Sequence, residues 1–150
     1  MQYVTVKGYY TAETPVGGFG LSDPSLVIAD GYITGVAANT KVYDLMNKFS
    51  LSVTVSAASG AALSSVDTVG TGCVITNPSG EKLIVVVKGD ASGDGVIGTD
   101  DYAMIKRTFL GTYDLSGAYL KAALVSGMSE LNIADYVMVK RTVLGSYKLQ

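Results

Sequence analysis

The chain has 150 residues, enough for one ordinary domain or two small ones, and its 48% hydrophobic content can supply a real core. Charged residues make up 16%, and 11 basic against 13 acidic side chains leave a net charge of -2, which gives no electrostatic footprint for nucleic acid or an anionic membrane. The absence of histidine and the single cysteine exclude Ser-His-Asp and Cys-His catalysis, His-ligated metals and an intrachain disulfide framework.

Taken from the N-terminus, residues 1 to 20 lack the basic start, apolar middle and small-residue cleavage site of a secretory signal, so Met1 is expected to begin either a cytoplasmic protein or, the preferred reading, a piece of a larger one. Leu26-Val-Ile-Ala, then Asp30-Gly31, then Tyr32-Ile-Thr reads as a β-hairpin with a type I′ turn. Asn39 or Thr40 is placed to cap a short helix whose Val42, Leu45, Met46 and Phe49 share a face. Strands follow near Leu51 to Ala57, Thr71 to Thr76 and Lys82 to Lys88. Cys73 falls in one of these and reads as a buried structural thiol with no neighbouring base to activate it. The most compact apolar run, Leu83 to Val87, is far short of the roughly 20 residues that cross a bilayer, so membrane insertion is not expected.

All three prolines, Pro15, Pro24 and Pro78, precede residue 89, and the composition breaks near Val87-Lys88-Gly89 with no flexible linker. This divides the chain into a β-rich segment, 1–88, and a second segment, 89–150. The expected class is α+β: an N-terminal β-rich module with one short helix, then a separate α-helical module. In the first segment Tyr9, Tyr10, Tyr32 and Tyr43 are the candidates for carbohydrate contact, and without tryptophan, ordinary packing is the better reading. Glu13 and Asp23 are the acids an enzyme reading would pair, which two loop carboxylates do not justify.

The second segment opens on Asp90-Ala-Ser-Gly-Asp-Gly-Val-Ile-Gly-Thr-Asp-Asp101, which matches the twelve-residue calcium loop. In that register Asp90, Ser92 and Asp94 offer side-chain oxygens, Val96 its backbone carbonyl and Asp101 a carboxylate from the start of a helix, while Gly95 permits the turn and Ile97 points inward. Ser92 stands where Asp or Asn is usual, and Asp101 where Glu is usual. The shorter carboxylate must bring the helix closer to the ion.

Asp101-Tyr-Ala-Met-Ile-Lys-Arg-Thr-Phe-Leu-Gly-Thr-Tyr113 recurs 34 residues later as Asp135-Tyr-Val-Met-Val-Lys-Arg-Thr-Val-Leu-Gly-Ser-Tyr147, with nine of thirteen positions identical. The two repeats run from about 89 to 113 and from about 123 to 147. Each predicts a helix, with Tyr102, Ile105 and Phe109, or Tyr136, Val139 and Val143, on one face and Gly111 or Gly145 as its stop. The only arginines of the chain, Arg107 and Arg141, follow Lys106 and Lys140 at matching places. The second loop, Leu124 to Asp135, has Leu124, Met128 and Ser129 where the first has Asp90, Asp94 and Gly95. One strong calcium site is expected, not two, with Leu124, Met128, Leu131 and Ile133 holding the second loop by apolar packing.

A calcium loop and exit helix repeated after 34 residues, with Gly89-Asp90-Ala-Ser-Gly-Asp-Gly95, paired Asp-Tyr-x-Met-x-Lys-Arg helices and the linker Leu115 to Ala123 between them, resembles the type I-like dockerins of cellulosomes and related bacterial assemblies. The resemblance covers about 89 to 150, and the segment before it looks like an X module that accompanies a dockerin. It implies two duplicated loop-helix (F-hand) segments, structural calcium, and docking onto a cohesin carried by a scaffoldin. It also implies an extracellular or cell-surface location, as the C-terminal part of a secreted protein engaged in polysaccharide degradation. The family's recognition positions fall on Thr99, Asp100, Lys106, Arg107 and Gly111 in the first copy, and on Ile133, Ala134, Lys140, Arg141 and Gly145 in the second. The module is expected to be non-catalytic and a monomer when unbound. The other readings are a carbohydrate-binding or structural fragment of a secreted glycoside hydrolase with incidental calcium, and a calcium-triggered sensor.

Overall fold

The computed structural model describes residues 18–149. Strands β1 (Val27–Ala29) and β2 (Tyr32–Val36) form the expected antiparallel hairpin. Asp30 and Gly31 both adopt positive φ, 55° and 83°, as a type I′ turn requires. After helix α1 (Val42–Met46) come β3 (Thr54–Ser56), β4 (Val74–Thr76) and β5 (Lys82–Val87), then helices α2 (Thr99–Phe109), α3 (Gly117–Ala123) and α4 (Ile133–Val143). The sheet is five-stranded and mixed, in the order β1-β2-β5-β4-β3, with β2 and β5 parallel and every other pair antiparallel. No helix among the described residues is long and apolar enough to cross a membrane.

Central strand β5 explains its own sequence. Leu83, Val85 and Val87 enter the main core with Ile33, Leu45, Val55, Val69 and Ile75, while Val86 on the opposite face is covered by Ala118 and Ala122 of α3. A strand buried on both faces reads as a continuous apolar run without alternation. Helix α1 closes the main core with Val42 and Leu45, but it is not capped by Asn39 or Thr40. Lys41 holds the N-cap position, and the first helical N–H groups, those of Val42 and Tyr43, donate to the carbonyls of Asp67 and Ser65 at 2.9 and 3.0 Å.

The expected class, a β-rich module followed by a separate α-helical pair of loop-helix segments, is corrected by this architecture. The fold is a five-stranded mixed sheet with four short helices, mostly β in its organisation, and the loop-helix segments are built onto the sheet. Three contacts account for this, and a further bond steadies the first loop within its own segment. The Thr71 N–H, just before β4, donates to Asp90 Oδ2 at 2.8 Å, and the Asn39 N–H, just after β2, donates to the Gly95 carbonyl at 2.7 Å. The Gly89 N–H donates to the Ala122 carbonyl at the end of α3 at 2.8 Å. Gly70 lies so close to the loop backbone that a Cβ there would stand 2.1 Å from the Gly93 carbonyl oxygen. A linear reading of 89–150 as self-contained misses these contacts because their partners, residues 39 and 70–71, are distant in sequence and carry the bond on backbone atoms.

Helices α2 and α4 pack on each other, and with α3 they enclose a second cluster built on Ala91, Ile105, Leu115, Ala123, Val125 and Val139. The expected inward stripe of α2 is rotated. Asp101 and Ile105 are fully buried, Tyr102 is half-buried, and Phe109 is 41% exposed. Asp101 sits at the third helical position with its carboxylate in the loop, and that constraint sets the rotation of the helix.

Substituting Gly70→Ala places a side chain against backbone that cannot move without opening the loop, so it is expected to cost about 2 kcal/mol or more. Thermal unfolding should show one transition shifted down as a unit. Two transitions with only one displaced would mean that sheet and loop are independent.

Candidate metal centre

Asp90, Asp94 and Asp101 each place a carboxylate oxygen within 4.8 Å of the other two, and Asp90 and Asp101 are fully buried while Asp94 faces solvent. Backbone N–H groups converge on the buried pair. Asp90 Oδ1 accepts from Gly93 at 2.9 Å and from the Ser92 hydroxyl at 3.3 Å, and its Oδ2 accepts from Thr71 and Gly95 at 2.8 and 2.9 Å. Asp101 Oδ1 accepts the Ser92 N–H at 2.8 Å and Oδ2 the Gly98 N–H at 2.7 Å, which ties the first and last thirds of the loop together. Among the described residues Asp94 accepts the Val96 N–H alone, at 2.9 Å. Gly95 takes φ 83°, and its lack of a side chain leaves room for the Val69 carbonyl, 2.6 Å from where a Cβ would stand.

This donor set fits a hard divalent cation. Each carboxylate oxygen has two acceptor positions, so the Asp101 oxygens, which accept one N–H each, retain a lone pair, whereas both Asp90 oxygens accept two bonds and the Ser92 hydroxyl would turn away from Oδ1 to make room for the ion. No ion pair between described residues reaches the cluster; the pair they form, Lys48 with Asp23, lies elsewhere. Burial raises the Asp101 carboxyl to about 6 and raises that of Asp90 as well, because the backbone donors only partly offset the loss of water. A divalent ion supplies the positive charge that the side chains do not. Asp90, Ser92, Asp94 and Asp101, with the Val96 carbonyl, would hold it.

The second loop reproduces the closure without the acids. Asp135 is fully buried and accepts the Ser126 and Asn132 N–H groups at 2.7 and 2.9 Å, the same two bonds that Asp101 makes. Asn132 adds a helix cap by accepting the Ala134 N–H at 2.8 Å. The expected apolar packing of this loop falls to Val125 and, in part, to Leu131. Met128 and Ile133 are 62% and 54% exposed, so Ile133 does not fill a space left by an ion.

The ten residues at the recognition positions are all exposed: Thr99, Asp100, Lys106, Arg107 and Gly111, and their counterparts Ile133, Ala134, Lys140, Arg141 and Gly145. Gly111 and Gly145 end their helices identically. Gly111 takes φ 79° with bonds from Gly111 to the Thr108 carbonyl and from Thr112 to the Arg107 carbonyl, and Gly145 takes φ 80° with the matching bonds to Thr142 and Arg141, a Schellman motif in each case. Tyr102 and Tyr136, equivalent residues of the two copies, stack at 5.3 Å with their hydroxyls 3.1 Å apart. Equivalent residues in mutual contact place a pseudo-two-fold axis between the helices. Lys106 and Lys140 lie over these rings at 6.0 Å each, and Arg107 and Arg141 over Tyr113 and Tyr147 at 5.3 and 5.7 Å. The role of the tyrosines was legible in principle from their equal place in the repeat. The contribution of Thr71, through its backbone N–H, left no side-chain signal.

Buried Cys73, its thiol held above the ordinary range by burial, takes the structural role expected of it. Tyr9, Tyr10 and Glu13 lie outside the described residues, and Asp23 is bound to Lys48 at 2.6 Å. No family model, curated protein or solved structure matches the chain.

The electrostatics give a pH dependence with a definite sign. Between the ordinary carboxyl value of 3.8 and the folded value of about 6, the native state binds more protons at Asp101 than the unfolded chain does. In chelator, this group therefore makes the protein more stable as pH falls from neutrality through 6 toward 4. A bound divalent ion must displace that proton, so calcium affinity is expected to fall over the same interval. Melting temperatures across this range, with chelator and with calcium, should converge as pH drops; a gap that widens with acidification would rule out Asp101 as a ligand.

Proposed function

We propose that the chain is a non-catalytic, calcium-stabilised docking module that binds a cohesin on a scaffoldin and anchors a parent extracellular protein in a multiprotein complex for polysaccharide degradation. The observation that carries this reading is the pseudo-symmetric pair of helices, each presenting an exposed Lys-Arg pair around stacked Tyr102 and Tyr136. Isolated basic pairs are ordinary solvated surface, but a repeated pair held by cation–π contacts in an acidic chain makes a defined patch. The role is taken from the resemblance, and the fold is not: docking here is by two helices attached to a mixed sheet.

Calcium has a structural part in this reading, at the single loop that retains Asp90 and Asp94. The second loop, closed by Asp135 alone, needs none. Ligands that must be ionised link the site to calcium supply, and the free ion is plentiful outside cells, in keeping with an extracellular or cell-surface location. Exposed Ile133 and Ala134, flanked by Lys140 and Arg141, form an apolar centre with a charged rim, the arrangement of an interface hot spot.

Calorimetric titration of a cohesin panel tests this directly. One calcium ion per chain is expected, with tight binding to at least one cohesin that chelator abolishes. Replacing Lys140 and Arg141 together by alanine should weaken that binding at least roughly tenfold without changing the melting temperature. Failure of the folded, calcium-loaded chain to bind any member of a broad panel would overturn the docking role while leaving the metal site standing.

A further inference from the structure

Two tyrosines that hold the same place in the internal repeat meet across the helix pair. Tyr102 follows Asp101 and Tyr136 follows Asp135, and each of these buried carboxylates is pinned by two backbone N–H groups of its own loop. The starts of α2 and α4 are therefore fixed in the same way, and matching backbone delivers both rings to the contact. The ring centres lie 5.3 Å apart with 23° between their planes, whereas the hydroxyl oxygens lie 3.1 Å apart. Hydroxyls closer than ring centres mean that the rings converge at their phenolic ends.

That end of the ring is where a tyrosine reacts as a radical. Loss of one electron and the phenolic proton leaves an unpaired electron shared between the oxygen and the ring, chiefly at the two carbons ortho to it. Those carbons flank the hydroxyl, so two phenols that converge at their hydroxyls bring their reactive carbons toward each other. Packing alone does not require this, because offset and edge-to-face aromatic pairs bury comparable area with their hydroxyls apart. Both rings are half-buried, which leaves them room to rotate into the bonded geometry. Holding two reactants side by side turns a rare encounter into an intramolecular step.

We propose that Tyr102 and Tyr136 form an oxidative cross-linking site, at which hydrogen peroxide activated by a haem peroxidase joins the two rings through a carbon–carbon bond. Each phenol gives up one electron and one proton, and one ortho carbon of each ring forms the new bond. The hydrogen on each bonding carbon then leaves as a proton while each oxygen takes one back, which restores both aromatic phenols. The chain loses two hydrogen atoms in all, and the peroxide takes up two electrons and two protons to give two waters. The bond ties α2 to α4 across 34 residues of sequence, so it removes freedom from the unfolded chain that the folded one does not use. This chemistry needs neither a metal nor a docking partner, so it goes beyond the docking reading and does not depend on it.

The test treats the full chain, dilute and calcium-loaded, with peroxidase and hydrogen peroxide at a dose raised until exposed Tyr43, Tyr113 and Tyr147 are oxidised. The monomer fraction is expected to show dityrosine fluorescence, a mass lower by two hydrogens, and a joined pair of proteolytic fragments that contain residues 102 and 136. Thermal unfolding of this cross-linked monomer in chelator should shift upward. Tyr102→Phe and Tyr136→Phe keep the ring and remove the phenol, so each should lower dityrosine in the monomer roughly tenfold or more, with folding checked by the unfolding transition. Oxidation of Tyr43, Tyr113 and Tyr147 with no link between 102 and 136, undiminished dityrosine in either folded phenylalanine variant, or an equal yield of the link from the chain unfolded in urea would each overturn the proposal.

Discussion

A carboxylate buried without a cation beside it is costly unless backbone donors take the place of water, and this chain accepts that constraint at Asp90, Asp101 and Asp135. Asp90 is the most demanding, accepting three backbone N–H groups and a hydroxyl. One of those donors, Thr71, lies in the turn that leads into β4. The loop is therefore satisfied where that turn presents its N–H, which ties the first loop to the entry of β4. Gly70 must lack a side chain so that Gly93 can approach, Gly89 must turn toward the end of α3, and α3 then covers Val86 on the outer face of β5. One buried carboxylate thus converts two stretches of sequence that look separable into a single packed structure.

The internal repeat separates two tasks that a single copy would confound. Both Asp101 and Asp135 close their loops with the same pair of backbone bonds, so closure by a buried carboxylate and its N–H donors is common to the two copies. Only the first copy adds Asp90 and Asp94. The added acids raise the local negative charge, and burial together with mutual repulsion lifts the carboxyls of Asp90 and Asp101 above their ordinary value. A cation would be held by what the first loop has beyond closure. The second loop shows what closure alone looks like.

Local patterns were legible in the sequence to the extent that they depend on neighbours along the chain. The Asp30-Gly31 turn, strands β3 to β5, α1, the paired helices with their glycine stops, and the clustering of the acids all have short-range causes. What was not legible depends on groups far apart. The parallel pairing of β2 with β5 sets residues 32–36 beside 84–87, and no periodicity encodes that partner. The N-terminus of α1 is satisfied by the carbonyls of residues 65 and 67, so the capping side chains sought locally were not needed. The inward face of α2 was misplaced by reading it from the apolar stripe Tyr102, Ile105 and Phe109 alone; Asp101 is fully buried with its carboxylate in the loop, and Phe109 is turned toward solvent. The attachment of the loop-helix segments to the sheet was hidden for the same reason, since residues 39 and 71 contribute to it through backbone N–H groups that carry no residue signature.

Near-identical helices do not make the two faces equivalent. Along α2 the exposed stripe at i, i+4, i+7 and i+11 reads Thr99, Ala103, Lys106, Leu110; along α4 it reads Ile133, Val137, Lys140, Leu144. Charge is matched, and apolar area is not. On the docking reading, a partner that covers α4 gains two aliphatic side chains that a half-turn of the module would exchange for Thr99 and Ala103. Ile133 and Val137 are 54% and 37% exposed, so only part of each side chain remains to be covered. At 1.5–3 kcal/mol for full burial of such a side chain, the difference is of the order of 1–2 kcal/mol, about ten-fold in occupancy. The Lys-Arg pairs would steer either face toward an acidic partner, and the aliphatic pair on α4 would decide which orientation is retained.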